Sequence, residues 1–261
     1  MGQSVAYEEA WNSLKEHWYI PPHADRIEKT PVYGILRLVF APFIRTCLRM
    51  KYRGLHHIPR TGATILAANH LSHIDPIVVI ASSRRTTHYL AKDGHFSNPF
   101  TRLVMTSTGQ IKTERESGGG NALSSAATVL ASERALGIFP EGTRSKRTEA
   151  PFLLEGKTGV ARLAASYPHA RVVPIALIGT RNVMAPKIHK IPRLWKPIKV
   201  QAGLSVSWME WLSSSSGSNR SPEDIQALSN QSHEVIKSEL AQLYREFTNQ
   251  LMTSLKQLGA A

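Results

Sequence analysis

The sequence predicts an α/β fold in which helices flank a largely parallel or mixed central sheet. Short apolar stretches of strand length alternate with helical patterns between residues 63 and 206, an order typical of parallel sheets. An apolar helical segment precedes this region, and a long helical pattern follows it. Of the 261 residues, 42% are hydrophobic and 20% are charged, which favours a sizeable buried core and excludes wholesale disorder.

Local patterns place the individual elements along the chain. Apolar runs predict strands at 63–68, 87–91, 110–113, 136–139, 171–178 and 197–206. Helices are predicted at 98–107, 121–134 and 158–167, and from residue 222 onward. One more helix is expected to begin at Asp75-Pro76, because Asp caps a helix and Pro fits its first turn.

Four parts are predicted along the chain: an N-terminal helical membrane-interface segment at 1–54, the α/β domain at 55–211, a flexible Ser-rich linker at 212–221 and a C-terminal helix at 222–261. In the last part, apolar residues including Val235 recur three and four positions apart. Such a stripe can dock on the domain, join two copies of the chain or lie on lipid.

The charge of the chain is strongly basic and unevenly distributed. The formal net charge is +13, and no acidic residue occurs between Glu28 and Asp75 or between Glu155 and Glu210. This excess predicts an anionic partner: a membrane, a phosphorylated or CoA-like substrate, or a nucleic acid. An ordinary solvated basic surface is the alternative. The single cysteine, Cys47, excludes a disulfide framework and a cysteine-rich metal site.

The segment 34–53 has the pattern of a cationic amphipathic helix, or of a helix pair broken near Pro42. Arg45, Arg49 and Arg53 are four residues apart, which would place them along one helix face. The segment is therefore predicted to contact a membrane interface through these arginines. A helix packed on the domain with a basic outer face is the alternative. The sequence contains no run of about 18 uncharged apolar residues, so no spanning helix is expected.

The segment Asn69-His70-Leu71-Ser72-His73-Ile74-Asp75 holds the sharpest candidate for catalysis. It follows a predicted buried strand and ends at a helix start, so a tight turn can bring Asp75 back to His70. A carboxylate on one imidazole nitrogen leaves the other as a base, and no nucleophilic Ser or Cys is evident, which points to a substrate hydroxyl. A structural histidine, or a metal site with His73, is the alternative reading of the same residues.

Three further loops carry residues suited to binding an anion. Gly142 and Arg144 follow the strand at 136–139, where glycine allows close approach and arginine offers a planar fork. Arg115 ends another strand, and Lys157 lies in a Gly-rich turn that opens a helix. Each of these loops, taken alone, is equally typical of a surface turn.

Taken together and in order, these motifs resemble the glycerolipid acyltransferase family, the lysophosphatidate acyltransferases and their relatives. The resemblance rests on His-x4-Asp at His70 and Asp75, Gly-x5-Arg at Gly109–Arg115, FPEGTRS at 139–145 and VPIA at 173–176. It covers roughly residues 50–205, so 55–211 is expected to be the acyltransferase domain.

The resemblance implies a role for each matching position. His70 would be the general base, and Asp75 would orient it. The expected acceptor-binding residues, several of them facing the phosphate, are Arg115, Glu141, Gly142, Thr143 and Arg144. Supporting roles are expected for Asn69, Lys157 and Pro174.

The sequence departs from the family pattern in two places. Lys112 and Thr113 precede Arg115 where the family usually has apolar residues. Lys157 follows Glu155-Gly156, whereas the family often has an aromatic residue before a lysine. Both departures bear on the roles expected for Arg115 and Lys157.

The implied activity is transfer of a fatty acyl group from acyl-CoA or acyl-carrier protein to a lysophospholipid hydroxyl, giving phosphatidate from 1-acylglycerol-3-phosphate. The acyl donor would be a co-substrate, with no cofactor or metal, and the backbone amides near His70 or Gly142 are candidate oxyanion donors. We expect a peripheral protein on the cytoplasmic face of a membrane, in contact with phospholipids and not with nucleic acid. Another lysolipid or glycolipid acceptor, or a non-catalytic protein that binds anionic lipid or nucleic acid, are the alternatives.

Overall fold

The computed structural model describes residues 2–27, 30–92, 110–113, 119–186, 188–189 and 191–261. Within these ranges the helices are α1 (Gly2–Ser13), α2 (Lys15–Trp18), α3 (Pro31–Cys47), α4 (Asp75–Ser83), α5 (Gly119–Ala131), α6 (Gly159–Ser166), α7 (Thr180–Val183), α8 (Trp208–Ser213), α9 (Pro222–Ser229) and α10 (His233–Gln257). The strands are β1 (Lys51–Arg53), β2 (Thr64–Ala68), β3 (Thr87–Lys92), β4 (Ile111–Thr113), β5 (Ala135–Ile138), β6 (Arg171–Ile178) and β7 (Lys199–Ala202). The helix predicted at 98–107 lies outside the described residues.

The strands form one mixed sheet in the order β1-β7-β6-β2-β5-β3-β4. Only the β6–β7 pair is antiparallel among the described strands; the other neighbours run parallel. The predicted flanked sheet is thereby confirmed in its mixed form. Ala67 of β2 pairs with Ile138 of β5 and Pro174 of β6, so these three central strands end at the same edge.

Helices cover both faces of the sheet, which explains why every residue of β2 is buried. Ile65 and Ala67 of β2 belong to one core, which includes residues of α1, α2, α5, α6, α8, α9 and α10. Leu66 and Ala68 belong to a second core on the other face, together with residues of α4 and Leu48 at the end of α3. The alternation of side chains along β2 thus divides the interior into two layers.

The residues predicted as one N-terminal segment, 1–54, separate onto the two faces of the sheet. Trp11 of α1 stacks on Trp18 of α2 with ring centroids 5.5 Å apart, and it lies 5.4 Å from the ring of Trp208. α3 instead contacts α4 on the other face. The start of the chain therefore helps to build the same core as its end.

Of the two alternatives for 34–53, the structure shows a single helix rather than a pair broken near Pro42, and the expected row of arginines is wrong. α3 continues through Pro42 as a single helix and ends at Cys47. Arg49 has a φ of 46° beyond the helix, and Arg53 lies on β1, so neither shares a helix face with Arg45. Arg45 itself donates to the carbonyl of Ala81 through Nε at 2.9 Å and also through Nη2, which fastens α3 to α4.

The C-terminal pattern predicted as one long helix is divided in the structure into α9 and α10. α10 buries its apolar stripe against the domain, so docking is the outcome among the three alternatives. Val235, expected in that stripe, is instead 43% exposed. The predicted strand at 197–206 is also shorter, since β7 ends at Ala202 and Val206 forms only an isolated bridge to Val172.

The segment 212–221, predicted as a flexible linker, forms a turn that closes on the helices beside it. The N–H of Ser218 donates to the carbonyl of Trp211 at 3.0 Å, and Gln250 of α10 donates through Nε2 to the carbonyl of Ser216 at 2.9 Å. A side chain at Gly217 would overlap the carbonyl of Trp211, so glycine is needed for this close approach.

Candidate active site

The site begins where β2 leaves the sheet. Asn69 is fully buried; its Oδ1 accepts the N–H of Leu177 at 2.7 Å, and its Nδ2 donates to the Leu177 carbonyl at 3.1 Å. These two bonds continue the pairing of β2 with β6 through a side chain. Asn69 thereby fixes the position from which His70, the next residue, enters the turn.

The turn after Asn69 brings His70 and Asp75 together as the sequence predicted. His70 Nδ1 lies 2.9 Å from Asp75 Oδ2, which also accepts the N–H groups of Leu71 and Ser72 at 2.6 Å each. Asp75 is fully buried, whereas 16% of the His70 side chain is exposed. Because the carboxylate accepts from Nδ1–H, Nε2 is the nitrogen that can take up a proton.

Glu141 has a different position from the one expected for an acceptor-binding residue. Its side chain is only 2% exposed; Oε1 accepts the N–H of His70 at 2.6 Å, and Oε2 accepts the N–H of Leu154 at 2.8 Å. Burial raises the pKa of this carboxyl to about 7, although the two backbone donors act to lower it. Glu141 therefore positions the backbone of His70, and its contact with the acceptor stays a prediction.

Two stacked aromatic rings support the His70 imidazole. The His70 ring lies on Phe139 with centroids 3.9 Å apart and planes 10° apart, and Phe139 in turn stacks on Tyr89 at 5.4 Å. A Cβ on Gly137 would overlap the Tyr89 ring, so glycine makes room for the stack. The sequence did not predict these contacts of Phe139, Tyr89 and Gly137 around His70. A lone glycine inside a strand pattern was the available signal, because it often marks a close approach.

Two cations lie beside the turn that holds His70 and Asp75. Arg144 contacts Nδ1 of His73 through Nη1, which places its guanidinium next to the His70–Asp75 turn. Lys157 lies across Gly142, since a Cβ there would be 3.0–3.1 Å from Cδ, Cε and Nζ of the lysine. Gly142 has a φ of 69°, a left-handed conformation that favours glycine. Thr143, between them, is exposed.

Of the remaining predicted residues, the structure describes Pro174 but not Arg115. Arg115 lies outside the described residues. Pro174 is buried in β6, where it pairs with Ala67, and Ile175–Ile178 separate it from the carboxyl end of the strand. Pro174 is therefore part of the sheet rather than of the open edge.

The backbone amides expected as oxyanion donors are already engaged. The N–H of His70 donates to Glu141, and those of Leu71 and Ser72 donate to Asp75. The N–H of Gly142 donates to the carbonyl of Phe139 at 2.9 Å. These four amides shape the turn and are not directed at a substrate, and the other amides near His70 and Gly142 stay candidates.

The alternative of a metal site finds no support in the described part of the chain. No group of three or more His, Cys, Asp or Glu side chains is arranged there to hold a metal ion. The Oδ2 atom of Asp75 is occupied by three donors, which is the coordination of an orienting carboxylate.

Comparison with known proteins agrees with this fold. Residues 49–178 match the family model described as Acyltransferase, a range that contains both His70 and Glu141. The chain also resembles a crystal structure of the 1-acyl-sn-glycerophosphate (LPA) acyltransferase PlsC from Thermotoga maritima. The TM-score is 0.51 at 16% identity, with 95% of each chain covered, so this likeness concerns the fold.

Two curated relatives match the central part of the sequence. A 1-acyl-sn-glycerol-3-phosphate acyltransferase from Borreliella burgdorferi is 28% identical over 131 residues, which are 49% of this chain and 51% of the relative. A protein of the same name from Helicobacter pylori is 33% identical over 129 residues, 49% of this chain and 53% of the relative. The matched region thus spans about half the length of these relatives. The chain belongs to the glycerolipid acyltransferase family.

Proposed function

We propose that this chain transfers a fatty acyl group from a thioester to the free hydroxyl of a lysophospholipid, with 1-acylglycerol-3-phosphate as acceptor and phosphatidate as product. The observation that carries the proposal is the His70–Asp75 pair, buried on its Asp side and open on its His side. The printed names of the two curated relatives support the choice of acceptor.

The proposed reaction uses His70 twice. Nε2 takes the proton from the acceptor hydroxyl as its oxygen attacks the thioester carbonyl carbon. The carbon–sulfur bond then breaks, and the proton returns from His70 to the leaving sulfur, so the products are an ester and a free thiol. Asp75 keeps the proton on Nδ1 and stabilises the imidazolium that forms between the two steps.

Recognition of the acceptor is assigned to cations at the same edge of the sheet. Arg144 supports this assignment because its guanidinium lies against the catalytic turn and its fork suits a phosphate. Lys157, held across Gly142, adds a second positive charge. Arg115 stays a prediction from the family pattern.

The donor is proposed to be acyl-CoA or acyl-carrier protein, which acts as co-substrate. A base and a thioester suffice for this chemistry, so no metal or redox cofactor enters the proposal. The basic stretch 156–209 would favour either donor, since both are anionic.

We also propose that the protein works as a peripheral protein at the cytoplasmic face of a membrane, where its acceptor resides. The exposed face of α3 supports this location; its large apolar side chains are 52–76% exposed at Ile35, Leu38, Val39, Phe40 and Phe43. A surface of this kind is favourable in the lipid headgroup boundary and costly in water. No helix within the described residues is both long and apolar enough to cross a bilayer.

Turnover measured with a labelled acyl donor and a panel of lysolipids tests the proposal. His70→Ala should lower kcat by about 10²–10⁴ because the general base is lost. Asp75→Asn should be similarly severe, since Asn cannot hold the same tautomer. Arg144→Ala should raise KM for an acceptor with a phosphomonoester far more than for one without it.

His169→Ala is the matched control, because His169 also lies beside a carboxylate, Glu8, at 3.6 Å but precedes β6 at the opposite edge of the sheet. It should keep normal turnover. If His70→Ala retains more than about a tenth of the wild-type kcat, the proposed mechanism is wrong. Absence of transfer by the wild type with every acceptor would favour a non-catalytic lipid-binding role.

A further inference from the structure

The connection from α7 to β7, residues 184–198, exposes a second group of large apolar side chains. In this 184–198 loop, Ile188 is 60% exposed, Ile191 77%, Leu194 42% and Trp195 66%. Scattered single apolar residues are common on protein surfaces, but four within eight positions form a patch that water does not favour.

Hydrogen bonds place this loop between the catalytic turn and α3. At its start, the hydroxyl of Ser72 donates to the carbonyl of Met184 at 2.6 Å, three residues before Asp75 in the catalytic turn. At its end, the N–H of Ile198 donates to the carbonyl of Leu48 at 3.2 Å, just beyond α3. The loop therefore extends from the His70 site toward the helix whose apolar face is also exposed.

The charged side chains of the loop are all of one sign. Its sequence contains four basic residues and no acidic one, namely Lys187, Lys190, Arg193 and Lys196. An apolar patch interspersed with cations complements a surface that offers acyl chains and phosphates together, as an anionic bilayer does. A partner protein would need both apolar and acidic side chains on one face to match this loop.

We infer that the 184–198 loop binds the headgroup region of an anionic bilayer, beside the route by which the acceptor reaches His70. Ile191 and Trp195 enter the acyl boundary, and Arg193 and Lys196 meet lipid phosphates. With the exposed face of α3, the loop gives the protein two contacts, so the edge that holds His70 faces the lipid. This inference rests on the proposed function only in taking the acceptor to be a lipid. Binding of the protein to vesicles can be measured without any turnover.

Trp195 provides a direct readout of this contact. The chain has five tryptophans. Trp11, Trp18, Trp208 and Trp211 are at most 5% exposed, whereas Trp195 is 66% exposed. Vesicles of phosphatidylglycerol should shift the emission of the protein to shorter wavelength, and brominated lipid should quench it. Neutral phosphatidylcholine should do so weakly. In Trp195→Phe the shift should vanish while cosedimentation continues.

A double variant tests the energetic part of the inference. Ile191→Ser with Trp195→Ser should lower the partition coefficient onto phosphatidylglycerol vesicles at least about tenfold, since burial of one such side chain is worth that factor. Turnover of acceptor embedded in vesicles should fall in parallel, while turnover of a soluble short-chain acceptor stays unchanged. Leu204→Ser is the matched control, because Leu204 is 76% exposed and follows β7 outside the loop.

The outcomes separate the loop contact from the proposed reaction. Unchanged Trp195 emission on vesicles that the protein binds would overturn the loop contact and leave α3 as the membrane surface. Failure to bind anionic vesicles at all would overturn it as well. Insertion of Trp195 without transfer to any acceptor would retain the inference and overturn the proposed function instead.

Discussion

Two helices of this chain, α3 and α10, carry an apolar stripe, and they use it in opposite ways. α10 buries Leu240, Leu243 and Phe247 to 3% exposure or less against the helices on its face of the sheet. α3 leaves Leu38 and Phe43 more than 60% exposed. Amphipathic periodicity therefore predicts a helix with an apolar side, but it does not tell which surface will cover that side.

The difference comes from what surrounds each helix. The rings of Trp208 and Trp211 lie 5.4 Å and 5.1 Å from that of Phe247, so α10 packs on an aromatic cluster. α3 lies over α4 and is fastened by the Arg45 guanidinium, and its outer side meets no other element within the described residues. Burial thus depends on partners that are distant in sequence.

α10 also reaches the candidate active site indirectly. Arg245 donates through Nη1 to the carbonyl of Gly156 at 2.8 Å, and a Cβ on Gly156 would lie 2.7 Å from atoms of Thr248 and Met252. The loop held in this way includes Leu154, whose N–H donates to Glu141. Packing of α10 on the domain therefore supports the backbone of His70 through Leu154 and Glu141.

A matched pair of phenylalanines should give the largest difference between the two helices. Phe247→Ala should lower the free energy of unfolding by about 3–5 kcal/mol, because it empties part of a packed aromatic cluster. Phe43→Ala should change it by no more than about 0.5 kcal/mol, since the side chain is 63% exposed. Urea unfolding of both variants measures the contrast. Equal losses would mean that α3 is covered in solution.

The attachment of α3 gives a smaller effect. Arg45→Met keeps the apolar stem but removes the charged donors to Ala81, so we expect a loss of about 1.5–3 kcal/mol in unfolding free energy. Arg53→Met, on the exposed strand β1, should cost less than about 0.5 kcal/mol. The same unfolding assay compares them. A similar cost for both would contradict the role of Arg45 in fastening α3 to α4.

A third contrast depends on pH and concerns Glu141, which contacts both the loop held by α10 and the backbone of His70. Its pKa is raised to about 7, so the folded state binds more protons than the unfolded state between about pH 4.5 and about 7. Its contribution to stability is therefore present at low pH and is lost as the pH rises through about 7. The stability of wild type relative to Glu141→Gln should fall over that range in urea unfolding. A constant or rising difference would contradict the assignment.

Much of the site was predictable because its residues are close in sequence. His70 and Asp75 are five residues apart across a strand exit and a helix start, so local geometry alone brings them together. The interaction of Glu141 with the N–H of His70 was not predictable from spacing, because it depends on β5 lying beside β2. The same register brings Phe139 against the imidazole ring.

The sequence by itself determined the α/β class, the central sheet flanked by helices and the His70–Asp75 pair, because each follows from short-range pattern and local turn chemistry. Only the tertiary structure decided that Glu141 holds the backbone of His70, that Arg45 docks a helix, that the sheet is mixed and that α10 is buried while α3 is exposed. Those outcomes depend on contacts between elements tens to hundreds of residues apart, and the direction in which each side chain points is fixed by strand register and helix packing.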